Sequence, residues 1–196
     1  MGSWLTLGSQ SATEIMCQAD FDWLVIDMEH SSTTFEQAAD LVRIIELSGV
    51  TPLIRLAENQ ATLIKLAMDL GSHGVVVPMV NSASEAAAAV EALRYPPRGT
   101  RGVGLFRAQR YGFGFDEYVK WIAENAVLIV QIEHKDAVES LEAILEVEGV
   151  DGFIIGPYDL SGSFGVPGEF EHPDVVRALE QVNTVRLKTN ALAGYH

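Results

Sequence analysis

A chain of 196 residues, 48% of them hydrophobic, can bury one sizeable core, and a single domain over residues 1–196 is the expectation. Lys and Arg total 13 against 27 Asp and Glu, and the formal net charge of −14 argues against nucleic acid or anionic lipid as a partner. Cys17 is the only cysteine, which excludes an intramolecular disulfide; no basic leader precedes an apolar stretch, and no apolar run approaches the ~18 residues that span a bilayer, so a cytoplasmic protein is expected.

Short apolar runs alternate with amphipathic segments, the pattern of β/α units around a parallel sheet. The predicted strands are SWLTLG (3–8), WLVIDME (23–29), TPLIRL (51–56), GVVVPM (74–79), VLIVQIE (127–133), GFIIGP (152–157) and ALAGYH (191–196). Helices fill the intervals. Ser11 with Glu14, Thr33 with Glu36, and Ser82 with Glu85 have the spacing of capping boxes, in which a hydroxyl and a carboxylate satisfy free N–H groups of the first turn. Phe35, Ala38, Val42 and Ile45 recur at helical spacing, with Gly49 placed to end that helix, and Pro173 opens another in HPDVVRALEQV. The stretch 95–114, YPPRGTRGVGLFRAQRYGFG, carries no periodicity, and a loop of that length in a compact domain is usually functional or mobile.

Such repetition fits either an open doubly wound sheet or a closed barrel. A dinucleotide binder needs a glycine-rich turn after its first strand, but TLGSQSATE has a single glycine, and the GxG of RGVG (101–104) follows no strand. The expected fold is therefore a (β/α)8 TIM barrel that stops after strand 7, without strand eight and the last helices.

Active sites of these barrels form at the C-terminal ends of the strands. Asp27, Glu29 and His30 end the second strand, Arg55 the third, Gln131 and Glu133 the fifth, and Asp159 follows the sixth. Residues two apart on a strand share a face, so Asp27 pairs in direction with Glu29 and Gln131 with Glu133. Interior carboxylates call for a cation, and Glu133 with Asp159 could offer two oxygen ligands to a hard divalent ion such as Mg2+ or Mn2+. No cysteine cluster or paired-histidine spacing points to structural zinc. Quieter readings compete: an Arg55–Glu29 structural pair, Asp69 as a solvated helix end, His73 and His134 as structural residues, His172 at a helix start and His196 at a loop end. Arg107 and Arg110 are either solvated or bind a distal substrate carboxylate.

The blocks FDWLVIDMEH, VVVPMVNSASEA, RYPPRGTRGVG, VLIVQIE and VEGVDGFIIGPYDLS, in this order, resemble the HpcH/HpaI aldolase family, metal-dependent class II aldolases. The resemblance implies cleavage of a 4-hydroxy-2-oxo acid into pyruvate and an aldehyde. Glu133 and Asp159 match the family's metal-binding carboxylates, for Mg2+, Mn2+ or Co2+. Arg55 matches the arginine at the keto or enolate oxygen, and His30 the proposed base, accompanied by Asp27 and Asp69. Gln131 matches a glutamine near the metal, and the backbone at Gly156 and Pro157 the segment that receives the pyruvate carboxylate. A homo-oligomer is implied as well, a hexamer of pairs that exchange C-terminal helices. Asp27 is expected to orient the His30 ring for proton transfer. The alternatives are an acyl-CoA lyase of the citrate lyase β-subunit type, although no basic patch suited to CoA phosphates is visible, and a truncated non-catalytic paralogue.

Overall fold

The computed structural model describes residues 1–195. Seven strands and eight α-helices alternate among them: β1 (Gly2–Leu5), α1 (Gln10–Cys17), β2 (Trp23–Asp27), α2 (Phe35–Leu47), β3 (Thr51–Arg55), α3 (Ala61–Asp69), β4 (Gly74–Val77), α4 (Ala83–Leu93), α5 (Phe115–Asn125), β5 (Val127–Ile132), α6 (Lys135–Leu145), β6 (Gly152–Ile155), α7 (Pro157–Ser163), α8 (Pro173–Thr189) and β7 (Ala193–Tyr195). All seven predicted strands are present, each shorter than expected. The last predicted residue of the seventh, His196, lies outside the described residues.

Two compact units make up the chain, one from residues 1–76 and 91–127, the other from 77–90 and 128–196. In the first, β1, β2, β3 and β4 are neighbours in chain order, every pairing parallel. In the second, β5, β6 and β7 follow the same rule. This is the β/α succession of TIM-barrel-like folds, in which each strand is followed by a helix before the next parallel strand. Seven described strands are one fewer than a closed eight-stranded barrel needs.

Helix faces explain the packing within each unit. Ala38, Leu41, Val42 and Ile45 of α2 are fully buried at i, i+3, i+4 and i+7, the spacing that places them on one stripe. In the second unit α6 buries Ala137, Val138, Leu141 and Ile144, and α8, which it touches, buries Val175, Ala178 and Val182. Pro173 opens α8, as predicted, and Gly49, at φ +81°, follows α2.

Two caps differ from the expectation. Ser9, not Ser11, accepts from Ala12 N–H at the start of α1, and the capping box of α2 is Thr34 with Gln37, one residue beyond Thr33 and Glu36. The reason is local: Thr33 is buried and its hydroxyl is engaged by Ser31, leaving Thr34 at the helix mouth. Ser82 does accept from Glu85 N–H, while the Glu85 carboxylate reaches Asn81 N–H. The aperiodic stretch 95–114 contains helical turns within Arg107–Gly112, interrupted by a kink at Gln109, Arg110 and Tyr111.

Candidate active site

The first unit places its charged residues where two neighbouring strands end. Asp27 and Arg55 are direct partners in the β2–β3 register, so their side chains leave the sheet side by side. Arg55 grips Asp27 with both prongs, Nε to Oδ1 at 2.9 Å and Nη2 to Oδ2 at 2.6 Å, while Nη1 stands 3.2 Å from Glu29 Oε2. The guanidinium also lies over the ring of Trp4, 4.7 Å from its centroid. Both members are essentially inaccessible, 2% and 1% at the side chain, and only such two-pronged pairing makes buried charge tolerable. Burial opposes the charged form of Asp27, yet the Arg55 contacts and two backbone N–H donors outweigh it and hold the carboxyl below its ordinary value.

Those two donors belong to Glu29 and His30, 3.0 and 3.2 Å from Asp27 Oδ1. Asp27 therefore fixes the main chain of the turn that carries His30, and its carboxylate is committed to Arg55. This corrects the expectation that Asp27 orients the imidazole. The carboxylate nearest to that ring is Glu29, with Oε1 3.9 Å from His30 Nε2, and the ring itself is mostly exposed. The structural Arg55–Glu29 pair exists alongside the Asp27 clasp.

Asp69 ends α3, but it is not a solvated helix end. Arg101 Nη2 donates to its Oδ1 at 2.5 Å, and the Asp69 side chain is 15% exposed. Arg101 is fully enclosed: Nη1 donates to Tyr118 Oη at 3.0 Å, and the guanidinium lies 4.7 Å from the Tyr95 ring centroid. Desolvation favours the neutral guanidine, but the Tyr118 and Asp69 interactions prevail and hold Arg101 above its already high value, charged at any working pH. Burial meanwhile pushes Tyr118 up to about 12.

The second unit gathers Gln131, Glu133 and Gly156. As alternation on β5 requires, Gln131 and the residue just past the strand share a face, and the Gln131 amide donates to Glu133 Oε2. Met79 N–H donates to Glu133 Oε1 at 2.7 Å. The carboxylate is 1% exposed, and Gln131 Oε1 is buried without a hydrogen-bond partner. At Gly156 a Cβ would fall 2.7 Å from Glu133 Oε2 and 3.1 Å from Gln131 Nε2, so only glycine leaves this carboxylate its place. Pro157 then starts α7, and Asp159, its third residue, is exposed. Asp159 is thus on the helix after β6 and not on a strand.

Among the described residues no group of three or more His, Cys, Asp and Glu side chains is arranged to hold a metal. The second unit nevertheless fits an ion bound by few protein ligands: its donors are oxygens, one carboxylate is buried, and a buried amide oxygen still lacks a donor or cation. Hard divalent cations are commonly held by one or two carboxylates, with water and substrate completing the shell. Of the two expected carboxylates, Glu133 is buried here and Asp159 is exposed on α7.

The remaining candidates fall elsewhere. Arg107 is tied to Leu70 O at 2.9 Å and to the Glu46 carboxylate, and exposed Arg110 stands 3.2 Å from Glu117; both line a cavity whose walls include none of Asp27, His30, Arg55 and Asp69. His73 packs against Trp121, while His134 and His172 cap α6 and α8. Three contributors had no sequence signal: Trp4, whose contact with Arg55 depends on strand order; Arg101, inside the aperiodic stretch; and Met79, which acts through its backbone.

The chain is also similar to known proteins. The model of the HpcH/HpaI aldolase/citrate lyase family matches residues 1–193. The chain is 43% identical over 182 residues to the 2-keto-3-deoxy-L-rhamnonate aldolase of Salmonella gallinarum, covering 92% of itself and 68% of that protein. The enzyme of the same name from Klebsiella pneumoniae is 42% identical over 183 residues, with the same coverage. Among solved structures, an HpcH/HpaI aldolase/citrate lyase family protein from Burkholderia cenocepacia superposes with a TM-score of 0.92 at 34% identity, over 99% of this chain and 78% of that one. The HpcH/HpaI aldolase from Desulfitobacterium hafniense gives 0.87 at 32% identity, over 99% and 76%. The chain belongs to the HpcH/HpaI aldolase/citrate lyase family, a family of divalent-metal-dependent lyases, and is itself an aldolase.

Proposed function

We propose that the chain reversibly cleaves a 4-hydroxy-2-oxo acid into pyruvate and an aldehyde, using a divalent metal held by Glu133 and Asp159. The observation that carries this reading is the buried Glu133, braced by Met79 N–H and Gln131 beside Gly156, where a side chain would displace the carboxylate. The substrate named for the relatives, 2-keto-3-deoxy-L-rhamnonate, has the pattern the reaction needs, an oxo group at C2 and no hydroxyl at C3.

When bound, the metal supplies Lewis-acid polarisation of the C2 carbonyl. His30 takes the proton of the C4 hydroxyl as the C3–C4 bond breaks, a task suited to imidazole. The electron pair of that bond passes toward C2, and the Arg55 guanidinium stabilises the oxygen that gains charge. Asp27 and Glu29 hold the Arg55 guanidinium still, so stabilisation costs no reorganisation during the reaction. A proton returned to C3 completes pyruvate. Gln131 and the backbone at Gly156 and Pro157 seat the pyruvate half, and Asp69 assists proton transfer. We place this activity in a cytoplasmic homo-oligomer, Mg2+ or Mn2+ being the metal suited to oxygen ligands.

The test is to incubate the chain with 2-keto-3-deoxy-L-rhamnonate and Mg2+ or Mn2+ and follow pyruvate release through a coupled dehydrogenase. Release that a chelator abolishes and added metal restores is expected. Turnover indifferent to the chelator refutes the proposal.

A further inference from the structure

The turn after β2 is braced by main-chain and hydroxyl bonds. Met28 N–H donates to Arg55 O at 3.0 Å, the Glu29 and His30 N–H groups both go to Asp27 Oδ1, and Ser31 Oγ donates to Asp27 O at 2.5 Å. A turn fixed in this way presents its side chains in set directions. Glu29 stands between two groups of the proposed chemistry. Its side chain is 13% exposed and its carboxylate divides its oxygens: Oε2 lies 3.2 Å from Arg55 Nη1, and Oε1 lies 3.9 Å from His30 Nε2. Asp27, by contrast, commits its two oxygens to Arg55 and to the N–H groups of the turn.

The charges at this strand end are also unequal. Two carboxylates face one guanidinium, and Asp27 and Arg55 are almost wholly enclosed. A proton that arrives on the His30 ring, beside Glu29, offsets the surplus negative charge, and such compensation gains strength as a bound substrate displaces water. We propose that Glu29 is a positioning residue for proton transfer, an inference that rests on the aldolase reading above. It holds the His30 ring with Nε2–H toward its carboxylate, leaving Nδ1 bare. Nδ1 then takes the proton of the substrate's C4 hydroxyl, the O–H electron pair becomes the second bond of the aldehyde carbonyl as C3–C4 breaks, and Glu29 balances the imidazolium. The tautomer of a histidine is set by what its other nitrogen meets. One carboxylate thus links the ring that gains positive charge to the guanidinium that faces the developing negative charge.

Glu29→Gln tests the proposal with almost no change of shape. Arg55 can only donate, so it claims the amide oxygen, and the amide N–H groups are left facing Nε2, where a bare nitrogen is then preferred. Heteronuclear magnetic resonance of the His30 ring in the full 196-residue chain, at about pH 8.5 where an imidazole is ordinarily neutral, reads the tautomer without substrate. The parent is expected to carry Nε2–H, and Glu29→Gln to shift population toward Nδ1–H. In pyruvate release, Glu29→Gln lowers kcat about tenfold at little changed KM, the coupling typical of side chains in contact, and costs nothing further in a His30→Ala background. Nδ1–H as the main form in the parent, a reading that needs no variant, overturns the proposal. So does an unmoved tautomer in Glu29→Gln, or a loss that persists in His30→Ala, which would mean that Glu29 acts through Arg55 alone. A parent that releases no pyruvate removes the aldolase reading, and the spectra then decide by themselves whether Glu29 sets the ring.

Discussion

Around Arg55 charge meets opposite charge, whereas the donors that hold Glu133 in the second unit, a backbone N–H and a side-chain amide, are neutral. The first cluster is complete before any ligand arrives: a buried cation, gripped by two carboxylates and an indole face, has no freedom to lose. The second orients a carboxylate without cancelling its charge and leaves the Gln131 Oε1 atom unsatisfied. One cluster has its charge matched in advance, and the other is left to receive a cation.

The contrast can be broken most forcefully at its receiving end. Glu133→Ala should lower pyruvate release about a thousandfold or more, the several kcal/mol expected of lost metal catalysis, and should weaken Mn2+ binding in a spin-resonance titration. Undiminished turnover in that variant would reduce Glu133 to a structural residue. Next in size, Arg55→Ala should cost about 10²- to 10³-fold in kcat. Arg55→Lys should recover little of it, because an ammonium cannot clasp both oxygens of Asp27; full recovery would mean that charge alone matters and that the clasp is incidental.

Gly156→Ala sharpens the comparison on a smaller scale. The new Cβ pushes Glu133 Oε2 aside, so metal affinity should fall roughly 10- to 100-fold while the thermal midpoint moves little. Unchanged affinity in a calorimetric titration would mean that the carboxylate relaxes freely. The smallest effect is expected at half-exposed Glu46, which His73 and then Arg107 draw down to about 2. Because its folded value is depressed below the ordinary 4.5, the stability it contributes is complete above that value and fades as pH falls toward 2. Urea midpoints taken at steps through this window should slope less in Glu46→Gln than in the parent, and coincident profiles would remove Glu46 from the pH dependence.

The strands were legible because each is an apolar run bounded by polar or turn residues; their ends were overread because the ladder stops where the chain bends into the next helix, short of Glu29 and Glu133. Alternation correctly aligned Asp27 with Glu29 and Gln131 with Glu133. It carried no information on the partner across the sheet, and the β2–β3 register gives Asp27 to Arg55 instead of the His30 ring. Arg101 was illegible for another reason: its partners Asp69 and Tyr118 lie 32 and 17 residues away, and nothing in an aperiodic loop marks one arginine for burial. The Thr33 cap failed because tertiary burial claimed a hydroxyl that local spacing assigned to the helix.

Met79 adopts a left-handed backbone, φ +52°, with its side chain 44% exposed and its N–H on Glu133. The tether to the carboxylate is thus written in main chain, and evolution can swap the residue at 79 without touching it. Glycine or asparagine would sit there more comfortably than methionine, a β-branched residue less so, and proline alone would cut the link. A position that looks free to vary can hold a buried carboxylate in place.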